Sequence, residues 1–353
     1  MNTPAISVIA PVYNVERYIR QFMDSVLQQT FTDIELIMVN DKSPDNCLAI
    51  CNEYAAKDDR VVVIDKPLNE GCERARFTGL AAARGKYVYV PDPDDYISTR
   101  KAFELMYNKA EETGADLVQM RRRPIFNSYS PFNFYWLGPW PGEGLIEQPQ
   151  LREELWPSFF CDGKHKIFTT MWAKLYRKEV LDRAELKPSG VGRYDDMMFN
   201  LQVWPYLKSI YCINKVGYCY RWPWVRAFPK LKFAKQRFAF QRKIMEKHGF
   251  YKVADGSALT LLDELKSDIA LHAKTESENE VVAWLEGELQ DPLWDVATDI
   301  RERRDVLDAP FTQAVRNKDA QKCYEIVRDM RPSIRARIQR RVISFAYLLL
   351  RYL

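Results

Sequence analysis

Three carboxylates, Asp92, Asp94 and Asp95, crowd the end of an apolar strand, Tyr87 to Val90, inside the stretch Gly85 to Ile97. Like charges that close repel, and one is driven toward protonation unless a cation sits among them. Pro91 and Pro93 stiffen the turn by fixing φ and removing backbone donors. A rigid carboxylate cluster at a strand's carboxyl end suits a divalent ion that also holds phosphate oxygens. Asp and Pro are equally at home in a solvated turn, so this stretch alone leaves both readings open. A second acidic pair, Asp195-Asp196, opens a helix expected to reach about Tyr206. The helix dipole favours negative charge there, but a consecutive pair is more than a cap needs. His165, near Cys161 and Asp162, lacks the spacing of a metal site and reads as a loop residue.

These groups need elements to position them. Apolar strands are expected at 5–10, 34–39, 61–64, 87–90 and 116–120, with helices at about 16–29, 46–57, 72–84 and 98–113. Pro11 is expected to end the first strand. Strand–helix alternation at short spacing predicts an α/β fold, a mostly parallel sheet with helices on both faces. Ligands of such sheets bind beyond the carboxyl ends of the strands, where the strand order reverses. The turns holding Tyr13, Asp41 and Asp92/Asp94 should therefore meet in one crevice. Ile210 to Ile213 and Val216 to Tyr220 read as a hairpin around Asn214-Lys215.

Periodicity disappears across 124–150, a segment rich in Pro, Trp, Tyr, Phe and Gly. Its aromatic faces suit stacking on a sugar ring or a satellite hydrophobic cluster. From about 226 the pattern is helical to the end, which divides the chain into 1–225 and an all-α domain, 226–353. The last piece, 333–353, carries Arg335, Arg337, Arg340, Arg341 and Arg351 and no acidic residue. It reads as an amphipathic helix for an anionic membrane surface, or as a docking or homo-oligomerisation helix.

A net charge of +4 over 353 residues gives no reason to expect nucleic acid as a partner. The cysteine count is odd, 7, with no Cys-x-x-Cys pair, which speaks for a reducing compartment and against disulfides or structural zinc. No apolar run approaches the roughly 20 residues of a membrane span, and the chain enters a strand at Ile6 without a leader. A cytoplasmic protein, peripheral on the inner face of the membrane, is expected.

Several stretches together resemble the family 2 glycosyltransferases of the GT-A (Rossmann-like) fold. The resemblance rests on Ser7-Val8-Ile9-Ala10-Pro11-Val12-Tyr13-Asn14, on Asn40-Asp41-Lys42-Ser43-Pro44-Asp45, on Asn69-Glu70-Gly71-Cys72-Glu73-Arg74-Ala75-Arg76, and on Asp92-Pro93-Asp94 as the Asp-x-Asp motif. Trp172 to Tyr176 and Asp195-Asp196 extend it, more loosely, to about residue 222. Departures are Lys42 for Gly, Phe77 for Asn, Pro93 for a small residue and Asp195 for Glu.

The resemblance implies a nucleotide-sugar-dependent, inverting transferase. Asp94 would be the direct ligand of Mn²⁺ or Mg²⁺, with Asp92 on the ribose or on the metal through water. Pro11, Val12 and Tyr13 would wall the base, and Asp41 would accept from uracil. Asn69 and Gly71 would lie on the nucleotide side, and Arg76 would meet the diphosphate or brace the carboxylates. Asp196 would be the base, assisted by Asp195, and Trp172, Lys174 and Tyr176 would face the acceptor. It further implies a UDP-sugar donor of a hexose or N-acetylhexosamine. The acceptor would be a glycan or glycolipid of bacterial surface polysaccharide, lipopolysaccharide or capsule. A non-catalytic nucleotide-sugar-binding scaffold and a sugar nucleotidyltransferase are the alternatives.

Overall fold

The computed structural model describes residues 3–125, 140–155, 169–192, 195–221, 230–249, 254–302 and 309–330. Most of the aromatic segment, 126–139, and the basic segment 333–353 lie outside them. The chain divides into two compact units, Met1–Phe228 with Lys232–Ser257, and Pro229–Leu231 with Ala258–Leu353.

The first unit is built on β1 (Ile6–Val12), β2 (Ile34–Asn40), β3 (Val61–Asp65) and β4 (Tyr87–Tyr89), parallel in the order β3-β2-β1-β4. Every residue of β1 and β2 is buried. Burial on both faces explains why these strands are apolar runs rather than alternating patterns. The helices α1 (Glu16–Leu27), α2 (Cys47–Ala55) and α3 (Cys72–Ala82) connect them. Gly79 lets α3 come close to the sheet, since a Cβ there would lie 2.2 Å from Ile9 Cγ2. β1 does not stop at Pro11 as its proline suggests. It runs to Val12 because the missing Pro11 N–H faces the β4 side, where pairing has already ended at Val8↔Tyr89.

Beyond β4 the sheet becomes mixed. β5 (Tyr96–Ile97), α4 (Ala102–Thr113), β6 (Leu117–Ile125) and β7 (Gly144–Glu147) precede β8 (Lys174–Arg177), α5 (Lys178–Arg183), α6 (Asp195–Val203) and β9 (Ser209–Arg221). β8 inserts antiparallel between β4 and β6, β9 runs parallel to β6, and β5 and β7 both pair antiparallel with β9. The expected 210–220 hairpin is instead this single strand. Its register against β6 jumps from Met120↔Ile213 to Arg121↔Val216, so Asn214-Lys215 forms a bulge. A two-residue hairpin there would need positive φ at Asn214, or at both Asn214 and Lys215, and neither adopts it.

Three carboxyl ends, of β1, β2 and β4, point to one edge. β9 is parallel to them and delivers Arg221 to the same edge. β8, antiparallel, starts from it. The order reverses between β1 and β4, so Tyr13 and Asp92 flank the switch point.

After α7 (Lys230–His248) come α8 (Ala254–His272), α9 (Glu278–Glu288), α10 (Leu293–Glu302), α11 (Ala309–Arg316) and α12 (Ala320–Asp329). In the second unit Leu261, Leu265, Ile269, Val281, Leu285, Trp294, Phe311 and Cys323 are buried. Ser277 and Glu280 form a capping box at the start of α9. Among the described residues no helix is long and apolar enough to cross a membrane.

Candidate active site

The acidic turn is held from behind by β9. Asp95 donates its backbone N–H to Asp92 O at 3.1 Å, which closes the turn. Asp92 N–H donates to Tyr218 Oη at 3.0 Å. Arg221 donates its backbone N–H to Asp95 Oδ1 at 2.7 Å and its Nε to the Asp94 carbonyl at 2.6 Å. Its guanidinium lies 4.6 Å over the Tyr18 ring. Trp172 stacks on Tyr218 at 4.9 Å and on Tyr220 at 5.2 Å, a rigid floor beneath the turn.

One oxygen from each of Asp92, Asp94 and Asp95 falls within 4.8 Å of the others. Burial, then Asp92, pushes the Asp94 carboxyl up to about 6. Burial, then Asp94 and Asp92, pushes Asp95 up to about 9. Asp95 Oδ2 is buried without a hydrogen-bond partner. An all-oxygen cluster in which the Asp94 and Asp95 carboxyls are pushed up by burial and by their acidic neighbours fits a hard divalent cation.

Arg76, on α3, joins this turn to the second acidic pair. Its Nη2 donates to Asp92 Oδ1 at 2.5 Å, and its Nη1 donates to Asp195 Oδ2 at 2.5 Å. Asp196 Oδ1 is 2.8 Å from the same Nη1. Burial works against the guanidinium's charge, yet the carboxylates around it hold its pKa well above the usual value. Arg76 thus contacts Asp92, Asp195 and Asp196 together.

Asp195 and Asp196 form the first turn of α6. Asn200 fixes that turn, donating Nδ2 to Asp196 O at 2.9 Å and to Thr169 O at 2.8 Å while its Oδ1 accepts from Tyr176 Oη at 2.8 Å. Burial pushes the Asp196 carboxyl up to about 7, against the pull of Arg76, with Asp92 and Asp195 adding to the rise. Burial also brings Lys174 down to about 7, while Asp196 holds it up.

The nucleotide-side residues divide. Tyr13 is 49% exposed and offers an aromatic face, whereas Pro11 and Val12 are buried inside β1. Asn69 is exposed, and its Oδ1 accepts the Gly71 N–H at 3.2 Å. Gly71 sits at φ +90°, where a side chain would be strained. Lys42 takes φ +58°, so the turn keeps a glycine-like conformation without glycine. Asp41 is 2% exposed and already engaged. Its Oδ1 accepts from Lys66 Nζ and from Glu70 N–H at 3.1 Å, and its Oδ2 accepts from Gly71 N–H at 2.7 Å. Replacing Lys66 by Met should cost about 1–3 kcal/mol in urea unfolding, because Asp41 keeps its two backbone donors but loses its cation. An unchanged midpoint would show that the pair contributes nothing.

Trp172, Lys174 and Tyr176 do not face the crevice. They are 2%, 0% and 1% exposed. Lys174 Nζ donates to Thr170 O at 2.5 Å. They support the acidic groups from below and offer no surface to an acceptor. Lys66, Asn200, Tyr218 and Arg221 were not singled out from sequence. The contacts that tie Lys66 to Asp41, Asn200 to Tyr176, Tyr218 to Asp92 and Arg221 to Asp94 span 25, 24, 126 and 127 residues, and no local pattern marks them.

Residues 7–181 match the family model described as Glycosyl transferase family 2. The uncharacterized glycosyltransferase EpsJ of Bacillus subtilis is 33% identical over 223 residues, 62% of this chain and 61% of that protein. The poly(ribitol-phosphate) beta-glucosyltransferase of Bacillus spizizenii is 28% identical over 219 residues, 61% of this chain and 32% of the relative. The chain thus spans less than two thirds of the length of either. Among solved structures, S. aureus TarS 1-349 in complex with UDP-GlcNAc aligns with TM-score 0.60 at 22% identity, covering 91% of this chain and 90% of that one. At that identity the likeness is one of fold.

Proposed function

Because residues 7–181 place the chain in glycosyl transferase family 2, we propose that it is an inverting, cation-dependent enzyme. It moves a hexose or N-acetylhexosamine from a UDP-sugar to a hydroxyl of a glycan or glycolipid in bacterial surface polysaccharide synthesis, with lipopolysaccharide and capsule among the candidate products. The observation that carries this reading is the double engagement of Arg76. One guanidinium joins Asp92 of the acidic turn to Asp195 and Asp196 of α6. A leaving-group site and a proton-accepting site therefore adjoin, as displacement at an anomeric carbon requires.

Asp94 and Asp92, with Asp95 behind them, would hold Mn²⁺ or Mg²⁺. When bound, such an ion neutralises charge developing on a departing diphosphate. Tyr13 offers its exposed ring to the base, and the Asn69–Gly71 turn borders the nucleotide. Asp41, held by Lys66, shapes that turn. Asp196 takes the proton of the attacking hydroxyl, and its raised pKa suits that task. Asp195, paired with Arg76, orients it. Attack opposite the leaving group inverts the anomeric configuration. The UDP-GlcNAc bound in the TarS complex supports the donor class, and the poly(ribitol-phosphate) relative supports a cell-surface acceptor. The basic segment 333–353 would rest on the anionic inner face of the membrane.

UDP should stabilise the full chain against heat in Mn²⁺ and not in EDTA. Asp94→Ala should bind UDP no better in Mn²⁺ than wild type does in EDTA, as read by titration calorimetry. Equal UDP affinity of variant and wild type in Mn²⁺ would remove Asp94 from the cation site.

A further inference from the structure

The segment that delivers Asp195 and Asp196 is tied to α3 twice. Arg76 makes the second tie. The first is Glu73, one helical turn earlier and on the same face of α3. Glu73 Oε1 accepts the backbone N–H of Ser189 at 2.6 Å, and its Oε2 accepts that of Gly190 at 3.1 Å. A carboxylate receiving two backbone donors makes charge-assisted bonds.

The surrounding chain shows why this clamp matters. Lys187 is held at both backbone groups by Gln202 of α6, at 3.1 Å and 3.0 Å. Gly190 and Gly192 then take φ +70° and +73°, a pair of left-handed turns around the buried Val191. Glycines at positive φ are permissive and do not hold a path by themselves. Glu73 pins the path between the Gln202 tie and the Arg76 tie. The acidic turn at 92–95 has its own braces in Tyr218 and Arg221 and owes nothing to Glu73.

We propose that Glu73 is a positioning residue for the proton acceptor, holding the 187–192 segment on α3 so that Asp196 stays at Arg76. The proposal rests on the reading of Asp196 as the base. Loss of Glu73 should lower the rate of the chemical step and spare donor binding. A misplacement of 1 Å costs roughly a hundredfold in rate, and a loosened rather than displaced Asp196 should lose about tenfold.

Hydrogen exchange on the full chain tests the clamp without any substrate. Glu73→Ala should speed exchange of peptides covering 187–198 and leave those covering 85–97 unchanged. Unchanged exchange at 187–198 would overturn the proposal. Kinetics test the consequence, using whichever of UDP-glucose, UDP-galactose and their N-acetyl forms is hydrolysed fastest in Mn²⁺. Glu73→Ala should lower kcat about tenfold with KM held, and Glu73→Gln, which keeps one acceptor, should fall between it and wild type. In an Asp196→Asn background Glu73→Ala should add nothing, since it acts through Asp196. A fall shared by kcat and KM, or full additivity, would contradict it. If Glu73→Ala no longer binds UDP in Mn²⁺, Glu73→Gln carries the comparison. Wild-type turnover by Asp196→Asn would instead sink the base assignment on which the proposal rests.

Discussion

Asp196→Asn should lower transfer by about 10²–10⁴-fold, the usual contribution of a positioned general base, while UDP binding in Mn²⁺ stays near wild type. The substitution keeps the side chain's size and removes its ability to accept a proton. Arg76 retains Asp92 and Asp195 at 2.5 Å each, so the link to the acidic turn survives. Turnover and nucleotide affinity should therefore separate, which is the signature of a group acting only in the chemical step. The pH profile gives a second check. A base works deprotonated, and burial lifts the Asp196 carboxyl to about 7. In wild type, kcat/KM should rise with pH and level off at or below about pH 7, since a cation beside Asp92 would pull the value down. The variant should lose that limb. If Asp196→Asn turned over UDP-sugar at the wild-type rate, the base would have to lie elsewhere.

Arg76→Leu should be the most destabilising change in the site, by about 3–5 kcal/mol, the cost of removing one side of a buried charge cluster. Arg76 is 6% exposed and is shared by Asp92, Asp195 and Asp196. Without it, three carboxylates face one another with little solvent to screen them. The deficit should be larger at pH 8 than at pH 5, because protonation at lower pH relieves the repulsion. Asp196 follows the same sign in wild type. Its folded pKa is raised, so the stability its proton supplies is lost as pH rises through about 7. Unlike Asp196→Asn, this variant should lose metal-dependent UDP binding and transfer together, because the guanidinium braces both halves of the site. Arg76→Lys should recover part of the stability but not the two-sided link, since an ammonium lacks the planar fork. Urea unfolding at the two pH values reads the first effect, and an unchanged midpoint would show that Arg76 is not the junction.

What was legible from the residues follows from how far each contact reaches along the chain. The first four strands of the sheet could be read because each is a short apolar run closed by a polar turn. The crevice could be read because parallel strands must bring those turns to one edge. The acidic turn and the Asp195-Asp196 pair stood out because consecutive carboxylates are costly wherever they are buried. The insertion of β8 between β4 and β6 was not legible, since Lys174–Arg177 is too short to announce its partners. Nor was the buried state of Lys174, whose ammonium is satisfied by the Thr170 carbonyl. Asn214-Lys215 looked like a turn because polar residues interrupt an apolar run, and a bulge presents the same pattern. Lys66, Glu73 and Arg221 escaped because their partners lie 25, 116 and 127 residues away.

The central claim is that the two acidic groups joined by Arg76 act together on a UDP-sugar. The most direct measurement is release of UDP by the full chain from UDP-glucose, UDP-galactose and their N-acetyl forms, in Mn²⁺ and in EDTA. Release from at least one donor in Mn²⁺, lost in EDTA and in Asp196→Asn, is the expected result. Tight Mn²⁺-dependent UDP binding with no release from any donor, with or without a glycan acceptor, would contradict it and leave a nucleotide-sugar-binding protein in its place.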